Sequence, residues 1–525
     1  MELPLLARAQ SGMDKTYRLT DEGGLAATES LAAAAASDRD LLVSLCGVGA
    51  SVTLPTPPGP GEQYRFHFDM TRCIGCKCCV VACNEQNANP AEILWRRVGE
   101  IEGGVYPDTT RHHLSMGCNH CLEPSCMTGC PVNAYTKDPI TGIVLHSADA
   151  CIGCQYCTWN CSYGVPQYNP ARGVVGKCDM CHSRLTQDQL PACVAACPEG
   201  AIQIETVRID AWRRDYHAAD SPGMPSADDS LSTTRITQAK RMAANTGRVD
   251  LGRLRPEHPH TPLICMTVLT QLAVGAFAAI WMLALVGSAR HRAAAPLALM
   301  VTGIALAAST LHLGRPIHAW RALRMWRRSW LSREVLLFTL FVLVATLYSF
   351  ALWLSLSAAF LLGAVTVLLG IAGVGTSARL YRVPGRPAWN SPFTYAHFFL
   401  TTALMGAISA LLLDASSALA RRIAISICLL IVAVELARLL WLMRSSVHEL
   451  RGAATLLRTV LKTPFAGRLT LLLCTGVLLA HADAMPLLLL ASALALAAEF
   501  AGRWLFFVSV VPTNIAAQYL APEAA

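Results

Sequence analysis

Hydrophobic residues concentrate in the second half of this chain, where they form long runs separated by short polar loops. The runs lie near residues 262–286, 294–312, 335–355, 358–377, 393–413, 423–443, 467–482 and 486–511. A helix rises about 1.5 Å per residue, so about 20 apolar residues cross a hydrocarbon layer about 30 Å thick. The pattern therefore predicts an all-α bundle of eight transmembrane helices, although the short seventh run is also compatible with a re-entrant element.

The residues before this bundle lack such runs and divide into three parts. Residues 1–62 form an alanine-rich extension, 63–206 contain a dense series of cysteines, and 207–260 form a polar connector typical of a linker. The apolar stretch 41–54 is too short to cross a membrane and is expected to pack on a partner. With the membrane domain at 261–515, the chain is predicted to have four parts.

Sixteen of the 21 cysteines fall into four quartets. The quartets are Cys73, Cys76, Cys79, Cys83; Cys118, Cys121, Cys126, Cys130; Cys151, Cys154, Cys157, Cys161; and Cys178, Cys181, Cys193, Cys197. The first and third have the C-x2-C-x2-C-x3-C spacing of bacterial ferredoxins, in which three thiolates grip one cubane and the fourth points to a neighbouring cluster. No quartet lacks a member, so the sequence predicts an α+β ferredoxin-like domain with four 4Fe-4S clusters.

Zinc and disulfide bonds are the alternatives for these cysteines, and both fit less well. C-x2-C-x2-C crowds three ligands on one side of a metal, whereas a tetrahedral zinc site usually takes two ligands from each of two segments. Disulfide-rich domains are typically small and secreted, unlike this chain of 525 residues. The remaining cysteines are expected not to be ligands. They are Cys46, Cys78, Cys265, Cys428 and Cys474.

Composition and charge place the chain in a membrane and suggest an orientation. Hydrophobic residues make up 53% and charged residues 15% of the chain, and nothing indicates a nucleic-acid partner. Loops on the side of the cysteine-rich domain carry fourteen Arg and Lys residues, against four on the other side. By the positive-inside rule, this is a multi-pass inner (cytoplasmic) membrane protein with its cluster domain in the cytoplasm. A basic loop that docks the cluster domain, or export alongside a partner, remains an alternative.

Two sets of motifs resemble a known family. The cluster region contains Cys-Ile-Gly-Cys-Gln-Tyr-Cys at 151–157, Tyr-Gly-Val-Pro-Gln-Tyr at 163–168 and Lys-Cys-Asp-Met-Cys at 177–181. The membrane region contains Leu-His-Leu-Gly-Arg-Pro at 311–316, Trp-Leu-Ser-Arg-Glu at 330–334 and Glu-Phe-Ala-Gly-Arg at 499–503. These stretches resemble the iron-sulfur and membrane anchor subunits of the dimethyl sulfoxide reductase family, fused here in one chain. The resemblance implies an electron-transfer and anchor subunit that serves a separate molybdopterin catalytic subunit.

The resemblance also implies that the quartets exchange their last cysteines. One pair of clusters would use Cys73, Cys76, Cys79 with Cys197, and Cys178, Cys181, Cys193 with Cys83. The other pair would use Cys118, Cys121, Cys126 with Cys161, and Cys151, Cys154, Cys157 with Cys130. In such relatives the first pair faces the catalytic subunit, and the third-quartet cluster lies closest to quinone.

A quinone site is predicted on the face of the membrane domain that carries the clusters. His312 ends the second apolar run and Glu334 opens the third. Quinol oxidation releases two protons with two electrons, so the site needs a hydrogen-bonding base near the quinol hydroxyl. His312 and Glu334 fit this need, and the resemblance assigns both to a site for menaquinol or ubiquinol. The alternatives are that His312 only caps a helix end and that Glu334 pairs with a loop arginine. Arg315 either orients a quinone oxygen or contacts lipid or the cluster domain.

Haem is not expected, because histidines within the apolar runs are sparse and form no evident set of paired ligands. Glu499 with Arg503, and Glu435 with Arg438, are expected to form structural ion pairs inside the membrane. The direction of electron flow is open. Quinol could supply a partner that reduces an S-oxide or N-oxide, or a cytoplasm-facing sulfite-oxidising complex could deliver electrons to quinone. A proton-pumping anchor and a membrane-tethered ferredoxin without a quinone site are the other interpretations.

Overall fold

The computed structural model describes residues 15–19, 25–30, 53–249, 254–285, 291–482 and 484–513. Cys46 and most of the apolar stretch 41–54 lie outside these residues. Within them, a small α+β region rich in cysteine is followed by a helical membrane region, so the predicted fold class is confirmed.

The α+β region is built from short strands and helices around the cysteine quartets. A hairpin of β1 (Lys15–Leu19) and β2 (Leu25–Ser30) precedes it. The strands are β3 (Glu62–Asp69), β4 (Arg97–Val105), β5 (Asp108–Met116), β6 (Tyr135–Lys137), β7 (Val144–His146), β8 (Gln167–Asn169), β9 (Val174–Gly176), β10 (Ile202–Arg208), β11 (Arg235–Thr237) and β12 (Gly247–Arg248). The helices are α1 (Cys78–Asn87), α2 (Ser125–Gly129), α3 (Tyr156–Asn160), α4 (His182–Leu185), α5 (Ala192–Ala195) and α6 (Ile209–Asp215).

Much of the segment predicted as a linker is part of this region. Strand β11 pairs in parallel with β3, and the other edge of β3 pairs with β10. In a second sheet, β12 pairs with one edge of β4 and β5 pairs with the other. Trp212 of α6 is buried and donates its indole N–H to the carbonyl oxygen of Ser232. Composition could not reveal this arrangement, because the strands are two or three residues long and depend on edges supplied from elsewhere in the sequence.

The membrane region contains eight helices long and apolar enough to cross a bilayer, which confirms the predicted number among the described residues. They are α7 (Thr261–Leu285), α8 (His291–Thr310), α9 (Trp330–Trp353), α10 (Ala359–Leu380), α11 (Pro392–Leu413), α12 (Ala418–Arg444), α14 (Lys462–Ala480) and α15 (Met485–Val508). The short helix α13 (His448–Arg458) joins α12 to α14, and a 3-10 helix (Pro316–Leu323) lies between α8 and α9. The seventh span is thus a full helix of 19 residues rather than a re-entrant element.

The cluster region sits directly on one end of the bundle. The Tyr156 hydroxyl donates to the carbonyl oxygen of Leu380 at 3.0 Å, and Trp159 packs among Tyr381, Trp389 and Phe507. These contacts place α3, which lies within the third quartet, against the ends of the spans.

Glycine permits the closest approach of the two regions. The amide of Gly314 donates to the carbonyl oxygen of Gly153, and a Cβ on Gly314 would lie 2.2 Å from the carbonyl oxygen of Gly173. A Cβ on Gly385 would lie 2.5 Å from the carbonyl oxygen of Trp159. Any larger residue at either position would push the third quartet away from the bundle.

Candidate cluster and quinone sites

Two of the cysteine sets form small cavities whose linings mix two quartets. One cavity is lined by Cys73, Cys76, Cys79 and Cys197. Another is lined by Cys118, Cys121, Cys126 and Cys161. Each set is three cysteines of one quartet with the last cysteine of another, so the fold brings together the residues that the exchanged pairing requires.

The other two sets also lie close together. Burial raises the pKa of Cys83 to about 12, with the charges of Cys193 and Cys181 acting in the same direction. Burial likewise raises the pKa of Cys154 to about 12, helped by the charges of Cys130 and Cys151. Cys83 of the first quartet therefore lies with cysteines of the fourth, and Cys130 of the second lies with Cys154 and Cys151 of the third.

The donors around the sulfur atoms suit an iron-sulfur cluster. Backbone N–H groups donate to Sγ of Cys130 at 3.3 Å, Cys151 at 3.4 Å, Cys178 at 3.4 Å and Cys197 at 3.2 Å. The hydroxyl of Ser230 donates to Cys121 Sγ at 3.0 Å. Hydrogen bonds to cluster sulfurs stabilise their negative charge and tune the reduction potential. When bound, such clusters accept and donate single electrons.

Two buried cations accompany the quartets, and the sequence pattern assigned neither a role. The Lys177 ammonium lies 3.6 Å from Cys118 Sγ and donates to the carbonyl oxygen of Cys178 at 2.7 Å. Burial opposes its charge, but the thiolates around it dominate and raise the pKa of Lys177. The Arg96 side chain is 3% exposed and donates to the Ser115 hydroxyl at 3.2 Å, in the field of the first and fourth quartets. Lys177 stands in a motif with two cysteines, whereas nothing in the sequence marks Arg96.

Among the described residues, no group of three or more His, Cys, Asp or Glu side chains is arranged to hold one metal ion, and no disulfide is formed. Cys265, Cys428 and Cys474 lie in α7, α12 and α14, away from the two cluster cavities.

A cavity of about 300 Å³ lies where the third quartet meets the spans. Its walls are largely apolar and come from α7, α8, α9, the 3-10 helix and the loop that leads into α3. Cys154, His312 and Glu334 all line it. Its size is at the lower end of ordinary small-molecule sites, and a few polar groups in an apolar lining are typical of such sites.

His312 connects the cavity to the third quartet. Its Nε2 donates to the carbonyl oxygen of Cys154 at 3.2 Å, and its ring stacks on Trp159 with centroids 6.1 Å apart. Because a carbonyl only accepts, Nε2 carries the hydrogen and Nδ1 keeps a free lone pair. Burial lowers the pKa of His312, which favours this neutral form. His312 therefore presents a hydrogen-bond acceptor beside the cavity.

Glu334 lies in the second turn of α9 and is 5% exposed. Its Oε1 has no hydrogen-bond partner, while its carboxyl group shares a hydrogen bond with Ser377. Among the described residues it forms no ion pair, so the alternative of a partner arginine from the loop finds no support there. A buried carboxyl oxygen without a hydrogen-bond partner calls for an explanation, and a bound ligand or an ordered water would supply one.

Arg315 does not line the cavity. Its guanidinium donates to the carbonyl oxygen of Ala148 at 2.8 Å, and its amide donates to that of Ile152 at 3.1 Å. Arg321 and Arg328 make similar contacts, with the carbonyl oxygen of Asp149 at 3.0 Å and with Asn133 at 3.2 Å. Of the roles left open for Arg315, the structure shows the contact with the cluster domain.

A second group of polar residues is buried between the spans. Glu435 of α12 pairs with Arg468 of α14 and lies 3.7 Å from Arg438 and 3.4 Å from Nδ1 of His397. Arg468 is thus a buried residue of the span and not a loop cation, contrary to its place in the charge count.

The last span joins this group through other helices. Glu499 lies 3.9 Å from Arg468 and accepts a hydrogen bond from Thr401, whereas Arg503 donates to Gln271 at 2.8 Å. Arg503 also lies over the ring of Phe398 at 3.7 Å. The pair expected between Glu499 and Arg503 is replaced by contacts that connect five helices.

These features define a class of protein: an iron-sulfur electron-transfer protein with its own multi-pass membrane anchor. Residues 256–508 match the family model described as DMSO reductase anchor subunit, and residues 110–207 match that of a 4Fe-4S dicluster domain. The protein is 37% identical over 186 residues to the B chain of anaerobic dimethyl sulfoxide reductase from Haemophilus influenzae, covering 34% of this chain and 86% of the relative.

Two further relatives are similar to this protein over alignments of comparable length. The corresponding chain of the anaerobic dimethyl sulfoxide reductase of Escherichia coli is 39% identical over 162 residues, covering 29% of this chain and 78% of the relative. The B subunit of sulfite dehydrogenase from Allochromatium vinosum is 36% identical over 160 residues, covering 26% of this chain and 67% of the relative. The protein belongs to the dimethyl sulfoxide reductase iron-sulfur family and carries the anchor in the same polypeptide, so it is an electron-transfer and membrane-anchor subunit.

Proposed function

We propose that this subunit exchanges electrons between a membrane quinone and a separate catalytic subunit through four 4Fe-4S clusters. One observation carries the proposal: Cys154, His312 and Glu334 line the same apolar cavity. A quinone ring bound there would lie beside a cluster ligand, a hydrogen-bond acceptor and an unpaired carboxyl group. This arrangement favours a quinone site over a tethered ferredoxin that reacts only with soluble partners.

The chemistry of quinol fits these groups. Oxidation of one quinol to quinone removes two electrons and two protons, and the reverse reaction takes up the same number. Nδ1 of His312 accepts a hydrogen bond from one hydroxyl, and Glu334 binds the other. The hydrogen bond from His312 to Cys154 links the proton acceptor directly to the residue beside the electron acceptor. Arg315 positions this loop and does not contact the quinone.

We place the entrance for quinone on the side of the cavity that faces the lipid. Three of its lining residues, Trp320, Leu323 and Thr339, are exposed to the outside of the bundle. They lie on the 3-10 helix and on α9, so the entrance faces the hydrocarbon region rather than the cluster domain. A menaquinone or ubiquinone with a long apolar tail would enter with its ring first and leave its tail between these elements.

The opposite end of the cluster domain suits a catalytic partner. Ile74 and Val81 lie between cysteines of the first quartet and are 60% and 61% exposed, and Cys76 is exposed as well. We propose that these exposed residues are part of the surface that contacts the catalytic subunit. We propose a molybdopterin partner that reduces an S-oxide or N-oxide, as the resemblance to the dimethyl sulfoxide reductase family implies. The relative from sulfite dehydrogenase keeps the opposite direction, from sulfite to quinone, as a second candidate.

Haem has no place in this proposal. His397 is the histidine deepest in the described spans on the cluster side, and its Nδ1 lies 3.4 Å from Glu435. A haem with two axial histidines inside the spans would need a second histidine at a similar depth, and the sequence of the spans supplies none. The polar residues around Glu435 also stay in the cluster-side half of the spans, which gives no support to a pump that crosses the bilayer.

The cluster domain is proposed to face the cytoplasm from the inner membrane. The excess of loop arginines supports this orientation by the positive-inside rule. However, Arg315, Arg321 and Arg328 bind the cluster domain directly, and Arg468 lies inside a span. The charge asymmetry is therefore smaller than the loop sequence suggests, but most of the basic loop residues remain on that side.

A variant that fills the cavity tests the quinone site. Ala319→Trp would place an indole in the cavity, whereas Ile317→Trp adds the same group to the same 3-10 helix at a position 88% exposed and outside the lining. We expect Ala319→Trp to abolish cluster reduction by a menaquinol or ubiquinol analogue, measured by EPR, while dithionite still reduces the clusters. Equal quinol-driven reduction in both variants would contradict the proposal.

A further inference from the structure

A second, polar cleft adjoins the quinone cavity through a shared wall. It has a volume of about 790 Å³ and is lined by Glu92, Glu257, His258, His260 and Arg386 among others. Trp159, His312 and Leu313 line both spaces. His312 therefore separates an apolar cavity on one side from a charged cleft on the other.

Histidines extend from this wall to the surface. The ring centroids of His312 and His260 are 5.5 Å apart, and those of His260 and His258 are 5.2 Å apart. Both ring pairs meet edge-on at 75°, so a proton would pass between them after a ring rotates or through one water. His258 is exposed and His260 is half-buried. The series leads from the cavity wall to open water.

We propose that the polar cleft connects the quinone cavity to water and that His260 and His258 carry protons along it. This inference rests on the proposed quinone site. It adds a route for protons from the cavity to water, which neither His312 nor Glu334 supplies alone. For each quinol oxidised, two electrons pass to the cluster side and two protons leave through the cleft. In quinone reduction the same path delivers two protons.

The surroundings of His260 fit a relay. His258 comes from its own segment, His312 from the loop after α8, and Arg386 from the loop after α10; α3 and α15 contribute only Trp159 and Phe507. Burial, aided by His312, His258 and Arg386, lowers the pKa of His260 to about 3. The ring is therefore neutral at pH 7, and it would hold an extra proton only transiently, taking one up at one nitrogen as it releases one from the other.

Acidic residues line the far part of the cleft and would receive the proton. Glu257 is held by Arg386, whose Nη2 lies 3.4 Å from its Oε1, and its amide donates to the carbonyl oxygen of Val508 at 3.0 Å. Glu92 is exposed on the opposite wall. The backbone N–H of His260 donates to Nδ1 of His258 at 3.3 Å, so Nε2 of His258 carries the hydrogen and can give it to water. His258 would take up the next proton at Nδ1 when this hydrogen bond opens.

The test uses the full-length protein in membranes with its clusters assembled. His260→Ala removes the relay and opens space for added imidazole, while His318→Ala removes a histidine that lines neither space. We expect His260→Ala to slow quinol-driven cluster reduction at least tenfold, to enlarge the solvent deuterium isotope effect, and to be restored by imidazole. His258→Ala should show a smaller loss.

Binding and cluster integrity are measured on the same samples. A fluorescent quinol analogue should bind His260→Ala as tightly as wild type, within twofold, and dithionite should reduce its clusters normally. Quinol-driven rates and isotope effects that stay within twofold of wild type in both His260→Ala and His258→Ala would overturn the relay. If Ala319→Trp binds the analogue normally, the quinone site itself is wrong, which is a separate outcome.

Discussion

The imidazole of His312 donates from Nε2 to the backbone carbonyl oxygen of Cys154 across 3.2 Å. This single hydrogen bond joins the membrane domain to a cysteine of the third quartet. It also fixes the tautomer of His312, so that Nδ1 is the nitrogen available to a ligand. The proton and electron sides of the proposed site are thus connected by one contact, and changes at His312 should affect both.

Replacement of His312 should impair the quinone reaction without loss of the clusters. We expect His312→Ala to slow cluster reduction by quinol by about 10²-fold or more, the usual cost of removing a general base. His312→Asn should recover part of the rate if it keeps the hydrogen bond to Cys154. Rapid-freeze EPR after quinol addition gives the rates, with His318→Ala as the matched control. An unchanged rate in His312→Ala would move the quinone site elsewhere.

Glu334 should matter for quinol binding as well as for rate. Glu334→Gln keeps the shape and the contact with Ser377 but removes the negative charge, whereas Glu334→Leu removes every acceptor. We expect the affinity for a quinol analogue to fall in the order wild type, Glu334→Gln, Glu334→Leu, with about 1–3 kcal/mol lost when the acceptor is removed. Fluorescence titration measures the affinity. Equal affinities in the three proteins would show that Glu334 does not touch the ligand.

The exchange of cysteines between quartets can be tested with two variants. In the arrangement seen here, Cys130 lies with Cys151 and Cys154, while Cys161 lies with Cys118, Cys121 and Cys126. Cys130→Ser should therefore alter the cluster beside the quinone cavity and impair its reduction by quinol.

The companion variant Cys161→Ser should leave that nearest cluster reducible by quinol and alter a different EPR signal. Iron content and potentiometric EPR identify which cluster has changed in each protein. The reverse result, in which Cys161→Ser removes the cluster beside the cavity, would mean that each quartet holds its own cluster.

Lys177 should raise the reduction potential of the clusters it touches. Its ammonium lies 3.6 Å from Cys118 Sγ, inside the buried cluster domain, where a positive charge favours the reduced and more negative form. We expect Lys177→Met to lower the potential of the cluster held by Cys118, and Lys177→Arg to change it less. Redox titration followed by EPR measures both. A potential that is equal in all three proteins would limit Lys177 to a structural role.

The buried pair of Glu435 and Arg468 should be a major contributor to the stability of the anchor. Glu435→Leu leaves Arg438 without its carboxylate and leaves Arg468 only the more distant Glu499, and loss of one partner of a buried ion pair costs about 3–5 kcal/mol. Leu436→Ala, on the lipid-facing side of the same helix, is the matched control because Leu436 is 45% exposed. Unfolding in detergent followed by tryptophan fluorescence compares them. A similar small loss of unfolding free energy in both variants would show that the pair of Glu435 and Arg468 contributes little to stability.

The sequence by itself determined the number of spans, the cysteine quartets and the family. These features depend on local composition and spacing: a run of apolar residues must be helical in a membrane because its backbone polar groups have no other partners, and a cluster loop needs its thiolates at fixed intervals. Both are properties of short segments, and the bounds of most spans were predicted within a few residues.

Only the tertiary structure decided how these segments meet. The strands in 207–249, the position of Arg468 inside a span, and the buried cations Arg96 and Lys177 depend on residues far apart in the sequence. The same holds for the two cavities that share His312, since one wall comes from the cluster domain and the other from the spans. Spacing along a polypeptide specifies what each segment can bind, whereas a site built from several segments exists only where their packing brings the side chains together.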